Sequence, residues 1–169
     1  MSLSSVDQNR ASRSGGSASG AEGLGDSLCV FWLGAKCYAL DVGFVGEVVS
    51  VEEWIEVPLT DPAVLGMCNL RGTALTLIEL GSVLGVEVPA SKGGEVMSVL
   101  VLCWEGMRVG ARISRMDAVV PLDPRQYRAL DAAEEHPAVQ GLLSLPQGVA
   151  TVLSGEEVSA RVEALRFNG

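Results

Sequence analysis

The apolar residues of this chain come in short runs, and that limits what it can fold into. Segments 29–33, 36–40, 49–57, 74–80, 96–104, 107–113, 116–122 and 149–153 are rich in Val, Ile, Leu and aromatic residues. Most of them end against Gly, Pro, Asp or a Glu-Gly pair. Each is the length of an ordinary strand and too short for a long helix. Short strands at close spacing, with glycine turns and little helix, predict small β-barrels rather than a parallel sheet covered by helices.

Local signals refine this mainly all-β reading. Gly34-Ala35 and Glu105-Gly106 each separate two β-prone runs, as hairpin turns do. Asp41 is placed to cap a short helical turn carrying Val42, Val45 and Val48. Gly43 and Gly46 each weaken such a helix by about 1 kcal/mol relative to alanine. Ser154-Gly155-Glu156-Glu157 has the spacing of a capping box. It opens a closing helix over 155–166, with Val158, Val162 and Leu165 on one face. Residues 124–135 carry Tyr127 and Leu130 among polar residues, which leaves weak helix and irregular loop both open. Two strand-rich halves, 28–85 and 96–153, predict two sub-barrels packed together within one domain, 28–169. No residue-level repeat relates the halves. Residues 1–27, rich in Ser, Gly and Ala, predict a flexible tail.

Composition then removes whole classes of function. With 48% hydrophobic and 20% charged residues, the chain is a folding sequence rather than a disordered one. A net charge of −9 disfavours nucleic acid and anionic membrane surfaces as partners. No apolar run approaches the ~20 residues that span a bilayer. The N-terminus lacks a basic patch followed by an apolar core, so a cytoplasmic location is expected. Cys29, Cys37, Cys68 and Cys103 lie in apolar strand-like runs without a C-x-x-C pair, and His136 is the only histidine. Reduced core cysteines are expected, with no metal site and no cofactor.

Catalytic constellations are missing as well. A cysteine nucleophile needs a base and an orienting group, whereas His136 sits in the polar stretch Glu134-Glu135-His136-Pro137. There is no G-x-G-x-x-G, P-loop or G-x-S-x-G. Glu52-Glu53 and Glu134-Glu135 look like solvated surface runs, and Gly81 to Gly85 like a turn after a strand. No catalytic residue is expected. The remote alternative is a thiol enzyme using Cys68 or Cys103.

One charge stands apart. Arg71 lies in Gly66-Met67-Cys68-Asn69-Leu70-Arg71-Gly72, between apolar runs. A charge between core segments needs a partner, because an unpaired buried charge is costly. Glu47, in Val45-Gly46-Glu47-Val48, is likewise flanked by apolar residues. A Glu47–Arg71 pair satisfies both, either as a purely structural bridge or as one that also organises a binding groove.

These residues resemble the CheW family, the scaffold proteins of bacterial chemosensory systems. Phe31-Trp32-Leu33-Gly34 with Tyr38-Ala39-Leu40-Asp41-Val42 is similar to the family's opening hairpin, and Val45-Gly46-Glu47-Val48 to its V-x-E-[VI] segment. Gly66 followed by Asn69-Leu70-Arg71-Gly72 matches its most specific motif, and Val99 to Ile113 resembles its second-half hairpin. The motifs fall in order over about residues 28–165.

The resemblance implies two SH3-like five-stranded barrels around a shared hydrophobic core, with no enzymatic activity. It implies two partners, the cytoplasmic tip of a chemoreceptor and the regulatory domain of a CheA-type histidine kinase. It places Val45, Glu47, Gly66 and Arg71 at or beside the receptor groove, with Glu47 and Arg71 paired, and puts Ser98 and Val99 near its other side. Departures from the family pattern are Glu79 for Asp, Gly81 for a basic residue, Ile113-Ser114-Arg115-Met116 for V-D-x-V, and Leu153-Ser154-Gly155 for L-D-[LI]. These make the second sub-barrel divergent and keep open an accessory protein that binds receptors without coupling the kinase.

Overall fold

The computed structural model describes residues 21, 23–58, 61–90, 94–131 and 136–165. The Glu134-Glu135 run and most of the predicted tail lie outside these residues. In chain order the elements are β1 (Ser27–Leu33), β2 (Lys36–Asp41), a 3-10 turn (Val42–Phe44), β3 (Val45–Val51), β4 (Val64–Leu70), β5 (Thr73–Glu79) and α1 (Leu80–Val83). There follow β6 (Met97–Trp104), β7 (Met107–Ile113), β8 (Arg115–Pro121), β9 (Tyr127–Ala129), β10 (Val139–Leu145), β11 (Gly148–Leu153) and α2 (Gly155–Glu163). The fold is mainly β, in two curved sheets ordered β8-β1-β2-β11-β10-β9 and β3-β6-β7-β5-β4. Among the described residues no helix is long and apolar enough to cross a membrane.

Each sheet encloses its own cluster, and the two share a third. Val51, Cys68, Leu75, Leu77, Val99 and Val101 fill the first barrel. Leu28, Val30, Ala39, Tyr127, Leu143 and Val152 fill the second. Phe31, Leu40, Ile78, Leu102, Val158 and Val162 belong to the core between them. Successive strand residues point to opposite faces, so one strand serves two clusters. In β7, Val109, Ala111 and Ile113 face the shared core, while a Cβ on Gly110 would meet Leu75, Leu77 and Val99 of the first barrel.

The predicted partition into 28–85 and 96–153 does not follow the sheets. The β1–β2 hairpin joins β8–β11, and the β6–β7 hairpin joins β3–β5, so the two halves interlock. Two-residue turns fix each hairpin locally, but edge pairing chooses its sheet. That pairing is β1 with β8 and β2 with β11 in one case, and β6 with β3 and β7 with β5 in the other.

The halves are also repeats, contrary to the sequence reading. Asp61-Pro62-Ala63-Val64-Leu65-Gly66 corresponds to His136-Pro137-Ala138-Val139-Gln140-Gly141, and the bulges Val64/Gly66 and Val139/Gly141 coincide. Asp61 Oδ1 accepts the Ala63 N–H at 2.9 Å, and His136 Nδ1 accepts the Ala138 N–H at 3.2 Å. The carbonyls of Ala63 and Ala138 then accept from Glu79 N and Ser154 N at 2.7 and 2.8 Å. The isolated Ile55–Met67 bridge stands where Arg128 pairs with Leu142 in β9–β10. At this turn the repeat shows in four identical letters, Pro, Ala, Val and Gly, as well as in the geometry.

Other expectations need correction. The helix after Asp41 is only the 3-10 turn, capped by Asp41 Oδ1 accepting from Gly43 N at 2.7 Å. Val45 and Val48 continue instead into β3, where the β-branched run pairs with β6. The open segment 124–135 contains strand β9, held because the Tyr127 ring lies over Gly141, where no Cβ fits. Gly81 to Gly85 begins inside the single helical turn α1 rather than in a plain turn. At the end of the predicted tail, Leu24 packs against the second barrel, Gly25 N donates to Asp41, and Ser27 already belongs to β1.

Candidate partner-binding site

Arg71 and Gly72 are the two central residues of the β4–β5 turn, with φ of 51° and 83°. A two-residue hairpin whose central residues both have positive φ is a type I′ turn, which follows the right-handed twist of its strands. Gly72 adopts that backbone without steric penalty, and Asn69 Oδ1 holds it by accepting the Gly72 N–H at 2.7 Å. The Asn-Leu-Arg-Gly motif therefore builds a rigid corner that lifts the Arg71 side chain off the sheet.

Glu47 meets that side chain from β3. Beyond the irregularity at Val45/Glu47, residues Glu47, Val49 and Val51 share the face turned to the first barrel's interior, with Glu47 at its mouth. Arg71 grips the carboxylate with both amino groups, Nη1 to Oε1 at 3.0 Å and Nη2 to Oε2 at 2.8 Å. This is the planar fork that guanidinium and carboxylate favour. Arg108 of β7 adds a third contact, Nη2 to Oε1 at 3.0 Å. Hydrogen bonding from Arg71 holds the Glu47 carboxyl below its ordinary range, helped by the charges of Arg71 and Arg108. Glu47 in turn raises the Arg71 guanidinium. The expected pair is present, but it is not buried: the Arg71 side chain is 71% exposed and that of Glu47 25%.

The buried ion pair lies at the opposite end of the same barrel. Glu79 and Arg112 face each other across the parallel β5–β7 ladder, with Arg112 Nη1 2.7 Å from Glu79 Oε2. Their side chains are 11% and 16% exposed, and Arg112 Nη2 also donates to the Pro89 carbonyl at 3.1 Å. Burial pushes the Glu79 carboxyl up, against the pull of Arg112. Both residues sit between apolar neighbours, in Leu77-Ile78-Glu79-Leu80 and Gly110-Ala111-Arg112-Ile113, the same signal that singled out Glu47. The sequence therefore carries the same signal for this pair as for Glu47 and Arg71.

The remaining expected site residues fall in two groups. Val45 is half-buried against the shared core and Ser98 is half-buried on β6, opposite Ser50. Gly66 and Val99 are buried. At Gly66 a Cβ would lie 2.0 Å from the Ile55 carbonyl oxygen, so this glycine permits the Ile55–Met67 bridge. Val99 is wholly enclosed in the first barrel and supports the sheet from inside, where no partner side chain touches it. Beside the Arg71 turn, Trp54, Ile55, Met67, Asn69 and Gly72 line an open groove of about 570 Å³, with Ile55 73% exposed.

Three of the four thiols, those of Cys29, Cys37 and Cys68, are buried. Burial raises Cys29 to about 11 and pushes Cys37 and Cys68 upward. His136 spends Nδ1 as an acceptor in the Ala138 turn.

The family model of the CheW-like domain matches residues 27–163. The fold is similar to that of the scaffolding protein TtCheW from Thermoanaerobacter tengcongensis, with a TM-score of 0.65 and 21% identity over 76% of this chain and 88% of that one. No curated protein matches the sequence.

Proposed function

The chain belongs to the CheW-like domain family, and from that premise we propose that it is a non-enzymatic adaptor coupling chemoreceptors to a CheA-type histidine kinase. The observation that carries this reading is the exposed Glu47–Arg71–Arg108 cluster, raised on a rigid turn at the mouth of the first barrel. An ion pair that open to water adds little to folding, so its geometry is better accounted for by recognition. The receptor's cytoplasmic tip would lie across this mouth, against the Arg71 turn and Val45, whereas Ser98, beside Ile113 and Arg112, lies toward the barrel's other end. Gly66 and Val99 would act from beneath, by shaping the surface. The kinase regulatory domain would take a separate face, as a two-sided scaffold requires. The protein would work at the cytoplasmic end of the receptor, with no nucleic acid, metal or cofactor taking part.

Co-purification with a receptor cytoplasmic fragment and with the CheA regulatory domain tests both halves of the proposal. Capture of both supports the coupling role. Capture of the receptor alone would make the protein an accessory receptor binder. Arg71→Glu should weaken receptor capture while leaving thermal unfolding nearly unchanged. If the variant captures the receptor as well as the parent does, this mouth is not the receptor site.

A further inference from the structure

One carboxylate serving two guanidiniums is a surplus of cations, and the surplus is unevenly held. Arg71 reaches Glu47 from a turn and is 71% exposed, while Arg108 reaches it from within β7 and is 46% exposed. Glu105, in the β6–β7 turn, is the nearby carboxylate in sequence, and among the described residues neither arginine pairs with it. The repeat provides an internal comparison. In the second barrel Asp117 of β8 accepts from neutral donors, Gln147 Nε2 at 2.8 Å and Trp32 Nε1 at 3.4 Å. The nearby Arg115 lies over the Trp32 ring, 4.5 Å from its centroid. By strand register Ala118, Pro146 and Cys37 stand in the second barrel where the first has Glu47, Arg71 and Arg108. Among the described residues, therefore, only the first mouth holds a carboxylate between two arginines.

We propose that Arg108 is a placeholder that keeps Glu47 paired while Arg71 turns outward to a carboxylate on the binding partner. The first mouth is therefore specific for an acidic segment. Without Arg108, moving Arg71 to a partner would leave Glu47 half-enclosed and unpaired, so the exchange would be opposed. With Arg108, Glu47 keeps one charge-assisted hydrogen bond throughout, and an incoming carboxylate replaces Oε2 on the Arg71 fork. Arg108 is a positioning residue here: it acts through Glu47 and need not touch the partner. This inference rests on the reading that the mouth meets the receptor tip.

Calorimetric titration of the full chain with a receptor cytoplasmic fragment, at low and high salt, separates the two claims. Arg71→Ala should weaken binding by about tenfold or more, as loss of a central contact does, and should flatten the salt dependence. Arg108→Ala should weaken it by about fivefold, the scale of one partly exposed charge pair, with the thermal midpoint unchanged. Arg108→Lys should restore it, because an ammonium also holds Glu47. Glu47→Gln frees both arginines and should bind as tightly as the parent or tighter. If Arg108→Ala binds like the parent while Arg71→Ala does not, the placeholder role is wrong and the receptor reading stands. If Arg71→Ala binds like the parent, the receptor reading itself fails. Loss of binding in folded Glu47→Gln, or failure of lysine to replace Arg108, would also overturn the placeholder.

Discussion

Glu79 and Arg112 show how burial, more than pairing, decides what a charged residue is worth. Both side chains are largely out of water, so removing one leaves the other unpaired in the barrel floor. Glu79→Ala is expected to lower stability by about 3–5 kcal/mol, measured by urea denaturation. The pH dependence follows from the raised carboxyl. A folded-state pKa above the ordinary 4.5 means that the folded chain holds this proton more tightly than the unfolded one. The stability that comes from this tighter proton binding is therefore fully present below 4.5 and is lost as pH rises through the raised value. Lowering the pH across that window should raise the urea midpoint of the parent relative to that of Glu79→Gln. Parallel profiles would show that Glu79 titrates normally. Gly66 gives a steric counterpart. A methyl group there meets the Ile55 carbonyl at 2.0 Å, so Gly66→Ala should break the Ile55–Met67 bridge. A loss of about 1–3 kcal/mol, with faster amide exchange at Met67, is the expected result. At this scale the Arg71 partner was legible in the sequence, since two flanked charges of opposite sign imply each other. Its exposure was not, because apolar neighbours in a strand do not say which face the charge takes.

Elements were legible where their signals are local. The hairpin turns Gly34-Ala35 and Glu105-Gly106 lie where the chain pairing places them, between Leu33 and Lys36 and between Trp104 and Met107. The serine half of the capping box opens α2: Ser154 accepts the Glu157 N–H at 3.3 Å while its own N–H goes to the Ala138 carbonyl, and Val158 and Val162 turn into the shared core. Ser154→Ala should cost about 1 kcal/mol, seen as a lower thermal midpoint, while Ser154→Asp should come close to the parent. An unchanged midpoint for the alanine variant would mean that core contacts alone hold the helix. Strands β4, β9 and β10 were not identified, and in β4 the bulge at Val64/Gly66 interrupts the apolar alternation. Tyr127-Arg128-Ala129 has too few residues for a period, and Val139-Gln140-Gly141 is interrupted by the bulge its pairing requires.

At the level of the whole molecule, each barrel is completed by a hairpin from the other half of the sequence. Fragments 21–90 and 94–165 therefore each expose the edges that the exchanged hairpins should fill. Each fragment alone is expected to lack the near-ultraviolet signal of fixed aromatic packing, and mixing the two should restore it. A native-like spectrum from one unmixed, monomeric fragment would contradict the interlocked folding unit. By itself the sequence determined the strand-rich class, the hairpin turns, the closing helix, the family motif and the partner of Arg71. All of these follow from neighbours along the chain or from charges that must be matched. Only the tertiary structure decided which sheet each hairpin joins, that the halves are repeats, that Glu47–Arg71 stands in water with Arg108 beside it, and that Glu79–Arg112 is the enclosed pair. Those outcomes depend on strand pairings between residues far apart in the chain, and on burial that closure of the barrels creates.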